Sequence, residues 1–450
     1  MEKLKLYILT MQNSYILEID NITVESYNFY FELVSTFCIV EKNEDGIGVE
    51  FGYIIMSENL RKSYRDFFNK YITKYKQLNK FKQILDCIND DEYFFIFNND
   101  IEDTEQFLLI STALNACNVS NNDEERAKYF QDYMKSSNEV FKDFFKEYNI
   151  LAFDSDSRKN IGNYNKETRI CRFCGNGLNT VVKVTFNHKS HAIPESLGNK
   201  GLVCFEECDA CNNKFGKTIE KDLISYFDFF RTFYAVSGKN GIPKLRFQNA
   251  EVFNITKVKL DSLGLDENNL IKTENLNIIV TTDECLMKDD NLKFNLKSNE
   301  EISMVNVYKA LCKISISLIN SKELQYLQKT IEWINNDTEK EVLPEVAKLI
   351  SNKMFYEHPI LKIYIRRNKD YRLPHLVGEF NFKCFTFVFI LPFSNNDNKR
   401  FIEKEEYNYF WDFFNHYKSF KNWKFEDFSS IDRKKILLNM NFEKETKATD

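Results

Sequence analysis

The chain has 450 residues, more than one hydrophobic core usually organises, so several domains are expected. Hydrophobic residues make up 43% and charged residues 28%, a balance that excludes wholesale disorder. A formal net charge of -6 excludes a global positive field, so any nucleic-acid contact must come from a local basic face. The longest apolar runs, Phe385 to Phe393 and Phe107 to Leu114, fall well short of the ~20 residues a membrane helix needs, and the N-terminus has no signal-peptide h-region. The expectation is a soluble, cytoplasmic protein without a membrane partner.

In chain order, Leu4 to Thr10, Tyr15 to Ile19, Tyr30 to Val40 and Gly46 to Met56 are rich in β-formers and are predicted as strands of an antiparallel sheet. From Ser57, a candidate N-cap, to Asn89, apolar residues such as Leu60, Tyr64, Phe67, Phe68 and Tyr71 recur at helical spacing, which predicts one or two amphipathic helices. Asp91 to Asn98 reads as a strand and Glu102 to Tyr148 as further helices. Residues 154–168 are polar and aperiodic, the expected linker. Thr180 to His188 reads as a strand and Thr218 to Phe233 as a helix, broken by Lys239-Asn240-Gly241-Ile242-Pro243. Strands are expected at Lys244 to Gln248, Val252 to Leu260, Leu276 to Thr281, Leu361 to Arg366 and Phe380 to Leu391. Helices are expected at Val305 to Ile319, Glu323 to Ile334 and Lys404 to Lys418. Two mixed accessory domains, 1–165 and 238–450, would then flank a central module, 166–237.

That module holds the clearest chemistry. Cys171/Cys174 and Cys208/Cys211 are two CxxC pairs; each such turn directs two thiolates at one ion, and together they close a tetrahedral Zn²⁺ site with Zn–S bonds of about 2.3 Å. The other seven cysteines (Cys38, Cys87, Cys117, Cys204, Cys285, Cys312, Cys384) are scattered singly and read as core or surface thiols. Paired cysteines in a long chain favour metal binding in a reducing compartment over a disulfide framework. Zinc binding is worth roughly 10–16 kcal/mol in a minimal peptide, enough for a segment with little core to fold around the ion. The zinc is expected to be structural.

Three segments carry a family resemblance: Cys171-Arg172-Phe173-Cys174; Ser190-His191-Ala192-Ile193-Pro194-Glu195-Ser196-Leu197-Gly198-Asn199; and Cys208-Asp209-Ala210-Cys211-Asn212-Asn213-Lys214-Phe215-Gly216. In this order they resemble the HNH endonucleases of the ββα-metal class, specifically the branch with two CxxC pairs around a His-x-Ile-Pro segment. The resemblance covers the central module alone. It implies an α+β, treble-clef-like ββα-metal module that hydrolyses phosphodiester bonds with one metal ion, DNA ahead of RNA.

His191 falls at the family's general-base position, where a neutral imidazole with a pKa near ~6.5 suits the task. Mg²⁺ or Mn²⁺ would polarise the phosphate and steady the leaving 3′ oxygen. Asn212 matches the final ligand position, and Asn199 the middle one, which orients the base loop. Ser190 departs from the pattern, because many HNH enzymes place Asp, Glu or His there and a hydroxyl is a weak ligand. On an alternating strand His188 projects with Ser190 and substitutes for it; otherwise Glu195 or Glu220 supplies the carboxylate. The competing readings are a surface histidine or spare zinc ligand for His191, and a helix cap for Asn212.

Lys183, Lys189, Lys200, Lys214, Lys217, Lys221, Arg169 and Arg172 form a cationic set, with Lys189, Lys214 and Lys217 the candidates for phosphate contact; the alternative is an ordinary charged surface. Arg366-Arg367-Asn368-Lys369 and Arg433-Lys434-Lys435 carry the same two readings. Ala310, Leu311 and Ile314 read as core, His358 and His375 stand apart from any ligand-spaced cluster, and Asp412 with His416 reads as a surface pair. The function expected is a metal-dependent endonuclease between two accessory domains; a further reading makes those domains the sensor of an activating ligand or protein partner, as would suit a bacterial defence effector. The alternative is a catalytically silent zinc module that binds nucleic acid or a protein.

Overall fold

Alternation of apolar side chains sets up the first sheet. In β1 (Leu4–Leu9), Leu6 and Ile8 face one core while Tyr7 and Leu9 face another, so both faces of the strand are covered. β1 pairs antiparallel with β2 (Ser14–Ile19). The chain continues through α1 (Val24–Phe37), the hairpin β3 (Ile39–Asn43) and β4 (Gly46–Glu50), β5 (Gly52–Ile55), α2 (Glu58–Tyr71), α3 (Leu78–Asp86), β6 (Tyr93–Phe97), α4 (Thr104–Val119) and α5 (Asp123–Glu147). The sheet order is β2-β1-β6-β5. Phe29 and Leu33 of α1, Tyr64 and Phe68 of α2, and Phe81 and Leu85 of α3 share a core with Leu6, Ile8, Phe94 and Ile96. Leu114 of α4 packs with Tyr7, Leu9 and Phe95.

In this computed structural model the described residues are all except 1–3, 12–13, 20–22, 44–45, 99–100, 102–103, 121, 240, 247–249, 256–269, 273–276, 283–285, 289–290, 337–339, 352–353, 415–419 and 444–450. His416 and Cys285 therefore lie outside them. The chain is mixed α+β and divides into two units, Met1–Asn149 and Ile150–Asp450.

The strand expected at Tyr30 to Val40 is mostly helix. Thr23 and Ser26 form a capping box: the Ser26 amide donates to Thr23 Oγ1 at 3.1 Å and the Thr23 amide to Ser26 Oγ at 2.7 Å. From that start Phe29, Leu33, Val34 and Phe37 fall on one buried face. Ser57 does cap α2, its side chain accepting the Leu60 amide at 3.2 Å.

The chain passes into the second unit along β7 (Tyr148–Asp154) and continues with β8 (Lys159–Ile161), then β9 (Ser190–His191), β10 (Leu202–Cys204), α6 (Asp209–Lys217) and α7 (Ile219–Phe233). Residues expected to be a linker thus include a strand, since β8 runs parallel to β10 and completes the sheet β8-β10-β9. β11 (Leu245–Arg246), β12 (Ala250–Ile255), β13 (Leu270–Lys272) and β14 (Asn277–Thr282) form a sheet of order β11-β12-β14-β13. β15 (Leu286–Lys288) and the long β16 (Asn291–Ser303) lead into α8 (Met304–Leu318) and, after a 3-10 turn at Ser321–Tyr326, α9 (Gln328–Asn335). The remaining elements are β17 (Val346–Ile350), β18 (Tyr356–Arg366), β19 (Leu376–Lys383), β20 (Phe385–Ile390), α10 (Lys404–Phe414), β21 (Lys424–Glu426) and β22 (Arg433–Glu443). They give a sheet of order β21-β17-β20-β19-β18-β7 and the trio β15-β16-β22. The single strand expected at Phe380 to Leu391 is a hairpin: Phe382 pairs with Phe385, and Lys383 turns the chain with φ +54°.

The expected boundary at 237/238 falls inside one continuous core. Phe173, Phe186, Ile193, Phe215 and Phe227 pack in the same cluster as Leu311, Ile314, Phe380 and Phe387. Helix α8 is buried on every side, not along one face, which makes it the axis of the unit.

Candidate functional site

The cysteine pairs sit on two different local structures. Around the first, the Cys171 amide donates to Asn176 O at 2.8 Å and the Gly175 amide to Cys171 O at 2.9 Å, a turn that needs the φ of +69° at Gly175. The second belongs to α6: Cys208 is its N-cap, and its Sγ accepts the Cys211 amide at 3.5 Å. Hydrogen bonds from Cys171 and Cys211 lower the pKa of the Cys208 thiol, while the bonds from Cys171 and Cys208 raise that of Cys211. All four Sγ atoms lie within 4.8 Å of one another, and Cys174 and Cys208 are 3.8 Å apart. A tetrahedron with bonds of about 2.3 Å has edges of about 3.8 Å, so the cluster fits a structural zinc ion. Among the described residues, no other group of three or more His, Cys, Asp or Glu side chains converges in this way.

Residues 180–188 form a loop, not the expected strand, because their polar groups bond to α6. The Asp209 carboxylate accepts the amides of Asn187 and His188 at 3.0 and 2.9 Å, and the Asp209 amide donates to Thr185 O at 2.8 Å. Strand alternation therefore does not hold, and His188 parts from Ser190. The exposed His188 ring rests on Asp209, with Nδ1 at 3.2 Å, whereas Ser190 is 1% exposed and its hydroxyl donates to Asn212 Oδ1 at 3.3 Å, one turn further along α6.

β9 is anchored by pairing Ser190 with Cys204 and His191 with Val203. The two side chains leave the strand on opposite faces, Ser190 inward and His191 towards the surface. The half-buried His191 has Nε2 3.9 Å from Glu195 Oε2, while Nδ1 is buried without a hydrogen-bond partner. Burial lowers its pKa and the Lys189 charge adds to that, against the opposing pull of Glu195, so the ring is neutral at neutral pH. Nε2 is the nitrogen left to meet water.

Asn199 is fully buried, and its hydrogen bonds go to the backbone of the loop, not to His191. Its amide donates to Ile193 O at 2.7 Å and Leu202 O at 3.0 Å, and its oxygen accepts the amides of Gly201 at 3.1 Å and Leu202 at 2.9 Å. Four bonds thus brace the loop from Ile193 to Leu202 that follows His191. Gly201 is required there, because a Cβ would lie 2.1 Å from Ser157 O.

Sequence reading missed the layer beneath Ser190. Lys313 of α8 is fully buried, with Nζ 2.9 Å from Glu207 Oε2 and 2.8 Å from Glu220 Oε1. Burial lowers the pKa of the ammonium, but the two carboxylates outweigh it and raise the pKa above the ordinary value. Burial pushes the Glu207 carboxyl up to about 7, opposed by Lys313. Glu220 is therefore engaged with Lys313, and the carboxylate beside His191 is Glu195. Ser190 Oγ and Asn212 Oδ1 are in contact and offer the oxygen donors that Mg²⁺ or Mn²⁺ prefers.

The cationic set is thinner than its residue count suggests. Lys214 donates to Asn335 O at 2.6 Å, Arg172 to Ile316 O and Ile319 O at 2.9 and 2.6 Å, Arg169 to Asn163 O at 2.7 Å, and Lys221 pairs with Glu300 at 3.0 Å. Lys183, Lys189, Lys200 and Lys217 remain exposed. Arg366 is committed to Asp397 at 2.9 Å and Arg433 to the buried Asp222 at 2.7 Å, so neither charge run offers its first arginine to a phosphate. His375, apart from any cluster in sequence, is buried with Nδ1 2.7 Å from Ser394 Oγ and Nε2 3.4 Å from Glu323. No protein-family model matches this chain, and neither a curated protein nor a solved structure matches it.

Proposed function

We propose that the second unit is a metal-dependent endonuclease of the HNH type, in which His191 is the general base. The observation that carries the reading is the assembly around β9: a neutral, half-buried imidazole opens to solvent through Nε2 while the adjacent Ser190 binds Asn212 on the helix that also holds Cys208 and Cys211. His191 Nε2 would take the proton of the attacking water, and a neutral ring is the form that does so. Asn212 and Ser190 would hold Mg²⁺ or Mn²⁺, whose charge would polarise the phosphate and stabilise the leaving oxygen, while Glu195 would stay beside His191. The exposed Lys189, next to Ser190 in the chain, would draw the phosphate in, DNA being preferred to RNA. The four cysteines would keep β9 and α6 in register and take no part in the chemistry.

A second reading, a zinc module that binds nucleic acid or protein without cutting it, draws support from Lys313, which already engages both buried carboxylates. One experiment separates the two. Wild type and His191→Ala are incubated with plasmid DNA and with RNA across a Mg²⁺ and Mn²⁺ titration, with zinc content measured in parallel. The nuclease reading expects metal-dependent cleavage by wild type, lost in His191→Ala at unchanged zinc content. Cleavage that survives in His191→Ala, or binding without cleavage in wild type, overturns it. The first unit, as sensor of an activating ligand or partner, would make the full chain cut less freely than the activated protein.

A further inference from the structure

Lys313 belongs to none of the segments that resemble a nuclease, yet its ammonium lies against residues of the first and third of them and against the two carboxylates that flank α6. It binds Glu207, in the turn between β10 and α6, and Glu220, in the first turn of α7. It lies 5.9 Å from the ring centre of Phe173, between the first two cysteines, and 6.0 Å from that of Phe215 on α6. Side-chain exposure is 0% for Lys313, 0% for Glu207 and 9% for Glu220, so none of the three charges has water to turn to. Ser190, which bonds Asn212, pairs with Cys204 of β10, and the turn that follows β10 carries Glu207. One buried cation therefore connects the first cysteine turn, α6, α7 and, through Glu207 in the turn after β10, the strand paired with the one bearing His191.

We propose that Lys313 is a positioning residue of the centre: by fixing the Glu207 and Glu220 carboxylates beneath Ser190, it holds the His191 strand against the Asn212 helix. The catalytic geometry is then not built by residues 171–233 alone. A helix from the later half of the chain completes it, and the segment cannot be moved to another protein as a working module. The proposal rests on the nuclease reading for its consequence in catalysis, but its geometric content can be tested without cleavage.

A buried lysine with two carboxylates is also a plausible prop for folding alone, so the test must separate position from stability. Removing Lys313 by itself leaves two buried like charges and invites unfolding. The full-length triple variant Lys313→Met, Glu207→Gln, Glu220→Gln removes all three charges together and tests geometry in a folded chain, and Lys313→Arg keeps the charge. Two readouts are taken: single-turnover cleavage with the KM and kcat split, and the His191 imidazole resonance in the NMR spectrum of the full chain, assigned by its absence in His191→Ala. Positioning by Lys313 predicts that the folded, zinc-loaded triple variant keeps KM, loses about ten- to a hundredfold in kcat and displaces the His191 resonance, while Lys313→Arg recovers part of both. A triple variant with wild-type kcat and an unmoved His191 resonance overturns the proposal. If wild type cleaves nothing, the nuclease reading fails while the resonance still decides whether Lys313 positions His191.

Discussion

The four cysteines and the Lys313 cluster fasten the same stretch of chain at two levels, one at its outer end and one beneath it. Cys174 and Cys208 are 34 positions apart and meet through turns written into the local sequence, whereas Lys313 reaches Glu220 across 93 positions. The first arrangement needs an ion from outside and the second carries its own cation. This difference separates what can be withdrawn, the metal, from what only mutation removes. It also sets the order of effects expected when each is disturbed.

Loss of the metal is the largest. Structural zinc is worth roughly 10 kcal/mol or more in small domains, so chelation or Cys208→Ser should unfold residues 171–217 while leaving the first unit intact. Hydrogen exchange resolved along the chain checks this; protection that persists at Cys171 to Lys217 after complete zinc removal would mean that Lys313 and the shared core hold the segment unaided. Lys313→Met comes next, at about 3–5 kcal/mol, because it strands two buried carboxylates. The triple variant should regain most of that loss in thermal unfolding. If single and triple variants lose the same stability, the charges are not what binds the layers together.

Asn199→Ala should cost about 1–3 kcal/mol, since several buried backbone groups lose their partner without a charge being exposed. Its zinc content should equal that of wild type, and the His191 resonance should broaden as the Ile193 to Leu202 loop loosens. Equal sharpness in variant and wild type would show that the β9–β10 pairing alone fixes the base.

The same contrast explains what could be read from the chain beforehand. Spacing announced the cysteine cluster, and the Ser57 cap and the apolar rhythm of Leu60 to Phe68 announced α2, because each signal lies within a few residues of the structure it makes. Tyr30 to Val40 misled because its β-formers sit downstream of a capping box whose pull on the backbone outweighs their strand preference. Thr180 to His188 misled because one side chain, Asp209, takes amides that a neighbouring strand would otherwise bind. Ser190, Asn212 and His191 could be named from their order alone, but not that His188 would leave them or that Glu220 would be spoken for. Lys313 was hidden most deeply: in Tyr308-Lys309-Ala310-Leu311-Cys312-Lys313-Ile314 a lysine reads as solvent-facing, and only the burial of α8 on every side reverses that.

A lysine–carboxylate pair in the first unit sets the lower end of the scale. Lys82 and Asp86 of α3 are 3.0 Å apart at i and i+4, each about a third exposed, with distances like those of Lys313 but with water at hand. The cation here precedes the carboxylate along the helix, the less favourable order, so Lys82→Met should cost only about 0.2–0.5 kcal/mol and the loss should shrink with added salt. Burial would raise the Asp86 carboxyl, but hydrogen bonds from Lys82 and Tyr64 outweigh it and hold its pKa below the ordinary 3.8. A depressed folded pKa stabilises the fold above 3.8, and that contribution disappears as the pH falls through the folded value. The difference between wild type and Lys82→Met in urea unfolding should therefore be present at neutral pH and vanish at strongly acid pH. A difference that stays constant across that range, or that matches the effect of Lys313→Met in size, would mean that burial is not what separates the two lysines.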